Sequence, residues 1–407
     1  MTVTHTVTTY EGARDAFRQK HLRQALYDAG EVVMADVLVN LHGDEHRARR
    51  RLENRLFRRD TRERDERTRF PGIVAETLAP HVATGRAELV SLSHEMMMNL
   101  AATAAGVDRP RRTPEETHRL YEYMMRFIEG ATLAHYTGDR EAKRADVAAA
   151  LDAFDAEFLQ PSIARRRAAL DAVAAGSLDP DELPQDVLTV LLANQDQLEL
   201  GPEVVRRETC FYLLAGAHTS ATAFVRTLDH VFRMATTAPV DAERARDDLA
   251  FLQRCTHETV RLQPSSPIAL RRALEPLTLA GGEAVAAGDE VVIDLMSANR
   301  DPAVFGPDAD EFDPSRAVAP GVAPWGLSFG LGMHACIGQE LAAGGDPAAD
   351  TGPDRLYGLV PVAVQAVLAA GAHPDLHDPP RLDPTSARGY WAAYPVRFRP
   401  APPVSSA

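Results

Sequence analysis

The sequence contains few cysteines and almost no lysine. Its three cysteines, Cys210, Cys255 and Cys336, lie far apart, and no C-x-x-C pair occurs. This spacing excludes a disulfide framework and a four-ligand zinc site, so we expect a reducing compartment. Lysine occurs only at Lys20 and Lys143, so nearly all the positive charge comes from arginine.

The chain also lacks a long hydrophobic run and an excess of positive charge. The most apolar long segment, residues 209–225, is short for a membrane span and contains His218, Thr219, Ser220 and Thr222. No basic start followed by an apolar run appears at Met1. The formal net charge of -14 argues against general nucleic-acid binding. These absences predict a cytoplasmic protein with neither a membrane nor a nucleic-acid partner.

The composition predicts a large globular core, because 45% of the 407 residues are hydrophobic and 25% are charged. Hydrophobic periodicity predicts helices through the first two thirds of the chain. After Gln263 the pattern changes to prolines, glycines and short β-prone runs at 277–279 and 290–293. We therefore expect a mainly α protein with a small β region (α+β). It should form a single domain over 1–407, with a helical body at about 10–263 and a sheet and loop region at about 264–400. The predicted helices are 10–18, 44–57, 72–83, 87–105, 115–131, 144–175, 184–194 and 202–235.

The longest predicted helix follows Gly201-Pro202-Glu203, where proline suits the first turn and glutamate suits the positive end of the helix. About 34 residues of helix would span about 50 Å, enough to cross the whole domain.

Cys336 lies between a glycine-rich turn, Phe329-Gly330-Leu331-Gly332, and the start of a helix. The glycines allow close backbone approach, and the N–H groups of Ile337 and Gly338 at the helix start can stabilise a thiolate. Such a thiolate can serve as an axial iron ligand. The alternative is an ordinary buried cysteine near a glycine turn.

Phe329, Gly332, Cys336 and Gly338 fit the pattern F-x-x-G-x-x-x-C-x-G. In this respect the sequence resembles the haem-thiolate monooxygenases called cytochromes P450. The resemblance implies the cytochrome P450 fold, in which a long central helix crosses the haem, with Cys336 as the iron ligand. Because C-x-x-C-H is absent, we expect haem b (iron protoporphyrin IX) held without covalent attachment.

The long helix contains Ala215-Gly216-Ala217-His218-Thr219, which resembles the family's oxygen-activation motif, A/G-G-x-D/E-T. By resemblance, Ala215 and Gly216 leave room for dioxygen. Thr219 is the catalytic hydroxyl, and it is expected to bond to the carbonyl four residues earlier and open the helix. His218 replaces the usual acid. It either relays protons or contacts solvent or substrate, and we expect altered proton delivery.

Glu258-Thr259-Val260-Arg261 matches the family's E-x-x-R, and Arg316 follows within Phe312-Asp313-Pro314-Ser315-Arg316. Alone, Glu258 and Arg261 would be read as a surface ion pair. By resemblance, Glu258, Arg261 and Arg316 form a buried structural cluster that fixes the cysteine loop.

Four residues match the family's partners for the haem propionates. His46 and Arg50 fit H-x-x-x-R, Arg271 resembles the later propionate arginine, with Arg272 as an alternative, and His334 precedes the cysteine by two residues. Carboxylates need cationic or hydrogen-bonding partners. Each of the four taken singly could instead be an exposed basic residue.

The segment from Arg47 to Arg69 holds eleven arginines against five acids. In the family the corresponding helix lies on the face that receives electrons. A cationic face there would attract an acidic ferredoxin or flavodoxin-type electron donor. The alternative is a solvated helix face with partial acid pairing.

The resemblance is incomplete at two places. The H-x-x-x-R pair already occurs at His46, so the family's opening helix and first strand are expected to be missing, with residues 2–9 supplying one strand. Behind Cys336, Gly344-Gly345-Asp346-Pro347 should break the helix, and a polar insertion runs to Asp354 before helix resumes at 359–370.

The resemblance implies insertion of one oxygen atom from O2 into a small organic substrate. From the composition we expect a role in bacterial specialised metabolism. Two alternatives remain: a peroxide-using or non-oxygenating enzyme of the same fold, and a non-catalytic haem sensor or scaffold. Further candidate pocket walls are residues 28–38 and the helix bearing Tyr121, Tyr123 and Phe127. The main predicted pocket residues are Ala215, Ser266, Ile268, Ala269 and Leu270.

Overall fold

Helices dominate the first two thirds of the chain, as predicted. The computed structural model describes residues 2–350, 352, 354–384 and 389–399. Two π-helical turns, Asp65–Arg69 and Asp155–Leu159, connect α4 to α5 and α8 to α9 without a break. The helices are α1 Tyr10–Arg18, α2 Glu31–Met34, α3 Gly43–Glu53, α4 Arg59–Arg64, α5 Phe70–Thr84, α6 Leu89–Ala105, α7 Pro114–Ala131, α8 Arg140–Phe154, α9 Gln160–Ala174, α10 Val187–Ala193, α11 Pro202–Thr237, α12 Pro239–Asp247, α13 Leu249–Leu262, α14 Leu295–Ala298, α15 Pro302–Phe305, α16 Gln339–Ala343 and α17 Leu359–Ala369.

The strands form small sheets at one side of the helical body. A four-stranded sheet has the order β1-β7-β4-β2, in which β1 is parallel to β7 and the other pairs are antiparallel. A three-stranded antiparallel sheet has the order β3-β11-β8, and β5-β6 and β9-β10 form two-stranded ribbons. The strands are β1 Thr4–Val7, β2 Leu22–Gln24, β3 Arg86–Glu88, β4 Ile268–Ala273, β5 Leu277–Thr278, β6 Ala284–Val285, β7 Glu290–Asp294, β8 Ala372–Pro374, β9 Arg381–Leu382, β10 Trp391–Ala393 and β11 Pro395–Phe398.

The long helix α11 forms the axis of the core. It begins after Gly201 with Pro202 in its first turn and continues for 36 residues, two beyond the predicted end. Its buried positions include Leu213, Ala217, Phe224 and Leu228, and it packs against α6, α7, α13 and α17. A second, smaller hydrophobic cluster joins α1 to the four-stranded sheet.

Several predicted helix boundaries were wrong. Helix α8 begins at Arg140, four residues before the predicted start at 144. Residues 86–88 form β3 because they pair with β11, so α6 begins at Leu89 rather than at residue 87. The predicted helix 44–57 ends as α3 at Glu53 and continues as a 3₁₀ turn, Asn54–Phe57. Helix α5 begins at Phe70, directly after the π turn, and α10 is limited to Val187–Ala193 because Asp186 caps its first turn.

The helix behind the cysteine is interrupted, as the sequence predicted. Helix α16 ends at Ala343, and helix resumes at Leu359. Gly344 and Gly358 both have positive φ, 72° and 90°, and a Cβ on Gly358 would lie 2.3 Å from the Gly344 nitrogen. These two glycines therefore form a narrow neck that brings together the ends of the segment 345–357, which we call the acidic loop.

No helix in the described part of the chain combines the length and the apolarity needed to cross a membrane.

Candidate functional site

One large cavity brings most of the predicted site residues together. It has a volume of about 340 Å³ and lies between α11, α6, β4 and the loop bearing Cys336. One face of α11 forms a wall, because Tyr212, Ala215, Gly216, Thr219 and Ala223 recur every three or four residues. The predicted residues that line the cavity are His46, Arg50, Ala215, Gly216, Thr219, Ser266, Ile268, Ala269, Arg271, Phe329, Gly330, His334, Cys336 and Gly338.

The cysteine loop is a tight turn held by its own backbone. The Cys336 N–H donates to the Phe329 carbonyl at 2.8 Å, and Gly330 and Gly332 adopt φ values of 64° and 69°. A Cβ on Gly332 would lie 2.7 Å from the Phe17 carbonyl oxygen, so only glycine fits there. Arg50 donates to the Ala335 carbonyl at 2.8 Å, which joins α3 to this loop.

The Cys336 side chain is exposed to the cavity but surrounded by protein atoms. This partial burial raises the pKa of the Cys336 thiol, and a hydrogen bond from the Gly338 backbone N–H lowers it by a smaller amount. Burial therefore favours the neutral thiol over the thiolate. The sequence correctly placed a backbone donor at Gly338.

The central stretch of α11 stays regular. The Thr219 hydroxyl donates to the Ala215 carbonyl at 2.8 Å, as the sequence predicted, yet the helix does not open. Ser265 donates its hydroxyl to the Thr219 carbonyl at 2.9 Å, which gives that carbonyl a partner outside the helix. Gly216 allows α6 to approach, since a Cβ there would lie 3.2 Å from the Ala101 Cβ.

His218 is not among the described residues that line the cavity. Its Nδ1 lies 3.4 Å from His94 Nε2 on α6, and the two rings stack with centroids 5.7 Å apart. The rings of His218 and Tyr390 are in an edge-to-face arrangement, with their centroids 5.7 Å apart. The helix thus turns Thr219 toward the cavity and its neighbour His218 toward α6, because consecutive residues point about 100° apart.

A group of four basic residues, which we call the basic end, occupies one end of the cavity: His46, Arg50, Arg271 and His334. The His46 and His334 rings contact each other at 4.5 Å between centroids, and neither ring nitrogen of either residue has a hydrogen-bond partner in the described structure. Burial, with Arg50 nearby, lowers the pKa of His46 to about 4.

Arg271 is 6% exposed. It donates hydrogen bonds to the Gln24 side-chain oxygen at 2.8 Å and to the Leu270 carbonyl at 3.1 Å. Burial lowers the pKa of its guanidinium to about 10. No carboxylate of the described residues pairs with it. A buried guanidinium beside unpartnered imidazoles is costly unless an anionic group binds there. The basic end therefore fits a ligand with carboxylate groups, such as the propionates of haem.

A buried charge cluster supports the cysteine loop from behind. Arg261 makes two hydrogen bonds of 2.7 Å to the Glu258 carboxylate and donates to the carbonyls of Asn299 and Ala309. Arg316 donates to Glu258 at 3.2 Å and to the Phe305 carbonyl at 2.7 Å. These three side chains do not line the cavity, so their contribution is structural.

Sequence reasoning missed Asn299, which connects this cluster to the cysteine loop. Asn299 is fully buried, donates to the Arg261 carbonyl and to the Ser328 hydroxyl, and accepts from the Leu327 N–H at 2.7 Å. Ser328 in turn donates to the Val260 carbonyl at 2.6 Å. A lone asparagine in a loop carries no sequence signal for this function.

Other predicted residues lie away from the cavity. Leu270 does not line it, although Ile268, Ala269 and Arg271 of the same strand do, and Leu270 points to the opposite face of β4 from Ala269 and Arg271. Arg272 pairs with Asp28 and Glu290, both at 3.0 Å, so it is not the propionate partner. Of residues 28–38 only Leu38 lines the cavity, while Phe127 is in the core. Tyr121 and Tyr123 pack beside that core.

The arginines of residues 47–69 have two different environments. Arg49 is buried and pairs with Glu208 at 2.7 Å, and Arg59, Arg62 and Arg67 pair with acids of α16 and the acidic loop. By contrast, Arg51, Arg55 and Arg58 are exposed and form no ion pair among the described residues. The uniform cationic face expected from the sequence is therefore limited to α3 and the turn that follows it.

Comparisons with known proteins agree with the fold. The family model "Cytochrome P450" matches residues 142–343, about half of the chain. Indoleacetaldoxime dehydratase of Arabidopsis thaliana is 29% identical over 199 residues, which is 43% of this chain but 40% of that protein. This chain thus covers well under half the length of that relative.

Solved structures share the fold over nearly the whole chain. The crystal structure of CalO2 covers 97% of this chain and 90% of its own at 18% identity, with a TM-score of 0.73. A mutant of P450 EryK in complex with erythromycin B covers 99% and 92% at 23% identity, with a TM-score of 0.71. The matched family model identifies this chain as a member of the cytochrome P450 family, and the solved structures show that it has the same fold.

Proposed function

We propose that the chain is a haem-thiolate monooxygenase that inserts one oxygen atom from O2 into a small organic substrate. The observation that carries this proposal is the meeting of three features in one cavity: Cys336, the α11 wall with Ala215, Gly216 and Thr219, and the basic end. A cysteine that faces a cavity with an anion-binding end is better suited to binding a metal-bearing ligand with two carboxylates than to a purely structural role.

The chain's residues fit haem b held without covalent attachment. Cys336 would ligate the iron, and His46, Arg50, Arg271 and His334 would hold the propionates. The two other cysteines, Cys210 and Cys255, are buried elsewhere, which leaves no pair for a covalent link. When bound, thiolate-ligated haem supplies the ability to activate dioxygen for transfer to a C–H bond or similar group.

The remaining residues would bind and orient the substrate. Leu38, Val39, Phe211, Ala215 and Ile268 give the cavity a mainly apolar lining, which excludes water and favours an apolar substrate. Thr219 would position a proton beside the reacting atoms, because its hydroxyl, bonded to the Ala215 carbonyl, still offers its oxygen as an acceptor.

One observation favours a second candidate, a peroxide-using or non-oxygenating enzyme of the same fold. Of the described lining residues only Asp65 carries a carboxylate, and it pairs with Arg69 at 3.0 Å, while His218 faces α6. An acid beside Thr219 is therefore missing from the cavity. The plant relative is named as a dehydratase, so similarity to this family does not restrict the reaction to oxygenation.

Isotope labelling separates these candidates. With NADPH and an electron-donor system under ¹⁸O₂, the monooxygenase proposal predicts one ¹⁸O atom per molecule of product. Label that enters only from H₂¹⁸O₂ would favour the peroxide-using enzyme. Product without label from either source would identify a non-oxygenating reaction. A ligand screen by optical spin-state change would first identify the substrate.

We further propose that an acidic ferredoxin supplies the electrons by docking on α3. Arg51, Arg55 and Arg58, with Arg47 beside its exposed partner Asp44, form a cationic face next to His46 and Arg50. Attraction between this face and an acidic partner should weaken as salt rises. A reduction rate that is the same at low and high salt would contradict this docking mode.

A further inference from the structure

The acidic loop, residues 345–357, is anchored firmly at its base. Gln253 on α13 is fully buried and donates to the Ala343 carbonyl at 3.1 Å, and His257 Nε2 lies 2.8 Å from the same oxygen. At the other end of the neck, the Glu66 carboxylate accepts the N–H groups of Tyr357 and Gly358, both at 2.8 Å. The base of the loop is therefore fixed to α13 and to the π turn before α5.

The acidic side chains of this loop lie against the arginine-rich segment. Arg59 pairs with Asp350 at 3.2 Å and donates to the Asp354 carbonyl at 2.8 Å, and Arg67 pairs with the Asp354 carboxylate at 3.1 Å. On α16, Glu340 pairs with Arg62. The loop and the short helix thus neutralise three arginines that the sequence alone would assign to an open cationic face.

The arginines nearer the basic end of the cavity are not covered in this way. Arg51, Arg55 and Arg58 are exposed without an ion pair in the described part of the chain, and the only acid paired with Arg47 is Asp44, which is itself exposed. Two halves of one arginine-rich segment therefore differ: the half on α3 is open, and the half on α4 and the π turn is occupied by acids.

We propose that the acidic loop is a built-in cover that removes Arg59 and Arg67 from the docking face and so restricts an acidic ferredoxin to α3. This inference rests on the docking mode proposed above. It adds that the loop limits where on the surface the partner can bind. Like charges on the loop and the partner repel, so an acidic partner approaching α4 meets Asp350 and Asp354 rather than free arginines.

The size of the remaining face favours a small partner. Helix α3 has 11 residues, which corresponds to a length of about 16 Å. Electron-transfer encounters bury the least area among specific interfaces, so a compact ferredoxin can be held by so short a face.

The neck provides a direct test. Because the Gly358 Cα lies beside the Ala343 carbonyl carbon and the Gly344 nitrogen, deleting residues 344–357 can join Ala343 to Gly358 with little change to α16 and α17. A milder variant, Asp350→Asn with Asp354→Asn, keeps the loop and removes its charges. Asp152→Asn is the matched control, because it removes the acid of a surface ion pair of 2.7 Å between α8 and Arg206 on α11, away from the loop, while Arg206 keeps its pairing with Glu203.

The measurement is the Kd of the haem-loaded protein for an acidic [2Fe–2S] ferredoxin at low and high salt. Unchanged carbon monoxide spectra and melting temperatures establish that each variant is folded. We expect the double variant to bind about threefold more tightly and the deletion variant about five- to tenfold more tightly at low salt, with a steeper salt dependence. Asp152→Asn should bind as the parent protein does.

A further variant, Arg51→Gln with Arg55→Gln, separates the two proposals. If it weakens binding while loss of the loop charges changes nothing, the docking face is correct and the cover is wrong. If it leaves binding unchanged, the docking face itself is wrong. Binding of an acidic flavodoxin but not of the ferredoxin would overturn the choice of partner.

Discussion

The rings of His46 and His334 contact each other, as do those of His94 and His218, and these two pairs have different environments. His46 and His334 line the cavity, and none of their four ring nitrogens has a partner in the described structure. His94 and His218 connect α6 to α11, and a nitrogen of one ring lies 3.4 Å from a nitrogen of the other.

The surrounding charges differ as well. Arg50 and Arg271 flank the cavity pair, whereas His94 also bonds through Nδ1 to the Val90 carbonyl at 2.9 Å and is surrounded by helix backbone. Burial lowers the pKa of His94 and of His46, so desolvation alone does not separate the pairs. Only the cavity pair combines ring nitrogens without hydrogen-bond partners and neighbouring guanidinium groups without ion pairs among the described residues. These two features together indicate an anionic ligand.

The largest effect should come from the cavity pair. Replacing both His46 and His334 with leucine removes two hydrogen-bonding groups from the propionates, so the Kd for haem should rise on the order of a thousandfold. Haem transfer to apomyoglobin measures this change. The matched double variant His94→Leu with His218→Leu should retain haem, and equal loss in both would contradict the assignment of the basic end.

A third histidine, His257, tests whether an unpartnered nitrogen alone indicates a ligand site. It is fully buried, and its Nε2 bonds to the Ala343 carbonyl. Its Nδ1 has no hydrogen-bond partner among the described residues, yet His257 does not line the cavity. Burial lowers the pKa of His257 to about 4. We therefore expect a structural histidine that stays neutral in the folded protein.

The pH dependence of stability follows from that lowered pKa. Below about pH 6.5 the unfolded chain binds a proton at His257 that the folded protein does not, so this contribution is complete above pH 6.5 and is lost as the pH falls toward 4. The loss amounts to roughly 3 kcal/mol of unfolding free energy. Urea unfolding at several pH values should show a shallower slope for His257→Gln than for the parent protein. Equal slopes would contradict a neutral buried His257.

Thr219 and His218 are neighbours on α11, but Thr219 faces the cavity and His218 faces α6, so their variants should have different effects. Thr219→Val should raise the oxygen consumed per product about tenfold, because the cavity loses its positioned hydroxyl. His218→Gln should leave that ratio unchanged across the pH range. A large change with His218→Gln would support the proton relay that the sequence suggested.

The smallest effect should come from the pair between α6 and α11. His94→Gln and His218→Gln should each reduce the unfolding free energy by about 1 kcal/mol, since each removes the contact between the two rings. The double variant should lose less than the sum, because both single changes remove the same contact. Full additivity in urea unfolding would show that the two rings do not interact.

The sequence predicted the features that depend on local pattern. The spacing of Gly330, Gly332 and Cys336 predicted the turn, and the hydrophobic periodicity that follows Gly201-Pro202 predicted α11. The break at Gly344 was also predicted, because glycine followed by Asp346-Pro347 cannot continue a helix.

Features that depend on distant partners could not be predicted. The occupied state of Arg59 and Arg67 is set by Asp350 and Asp354, nearly 300 residues away in the chain. The direction of His218 depends on how α11 is rotated against α6, which is fixed by packing at Gly216 and Ala101. Asn299 lies in a loop whose position is set only by the folded cluster around Arg261.

The central claim is that the Cys336 sulfur ligates haem iron in its deprotonated form. The most direct test is the carbon monoxide difference spectrum of the reduced, haem-loaded protein. The account predicts the long-wavelength Soret band of thiolate ligation in the parent protein and its loss in Cys336→Ser, with helical content preserved. Absence of the band in the parent protein, or its persistence in Cys336→Ser, would contradict the account.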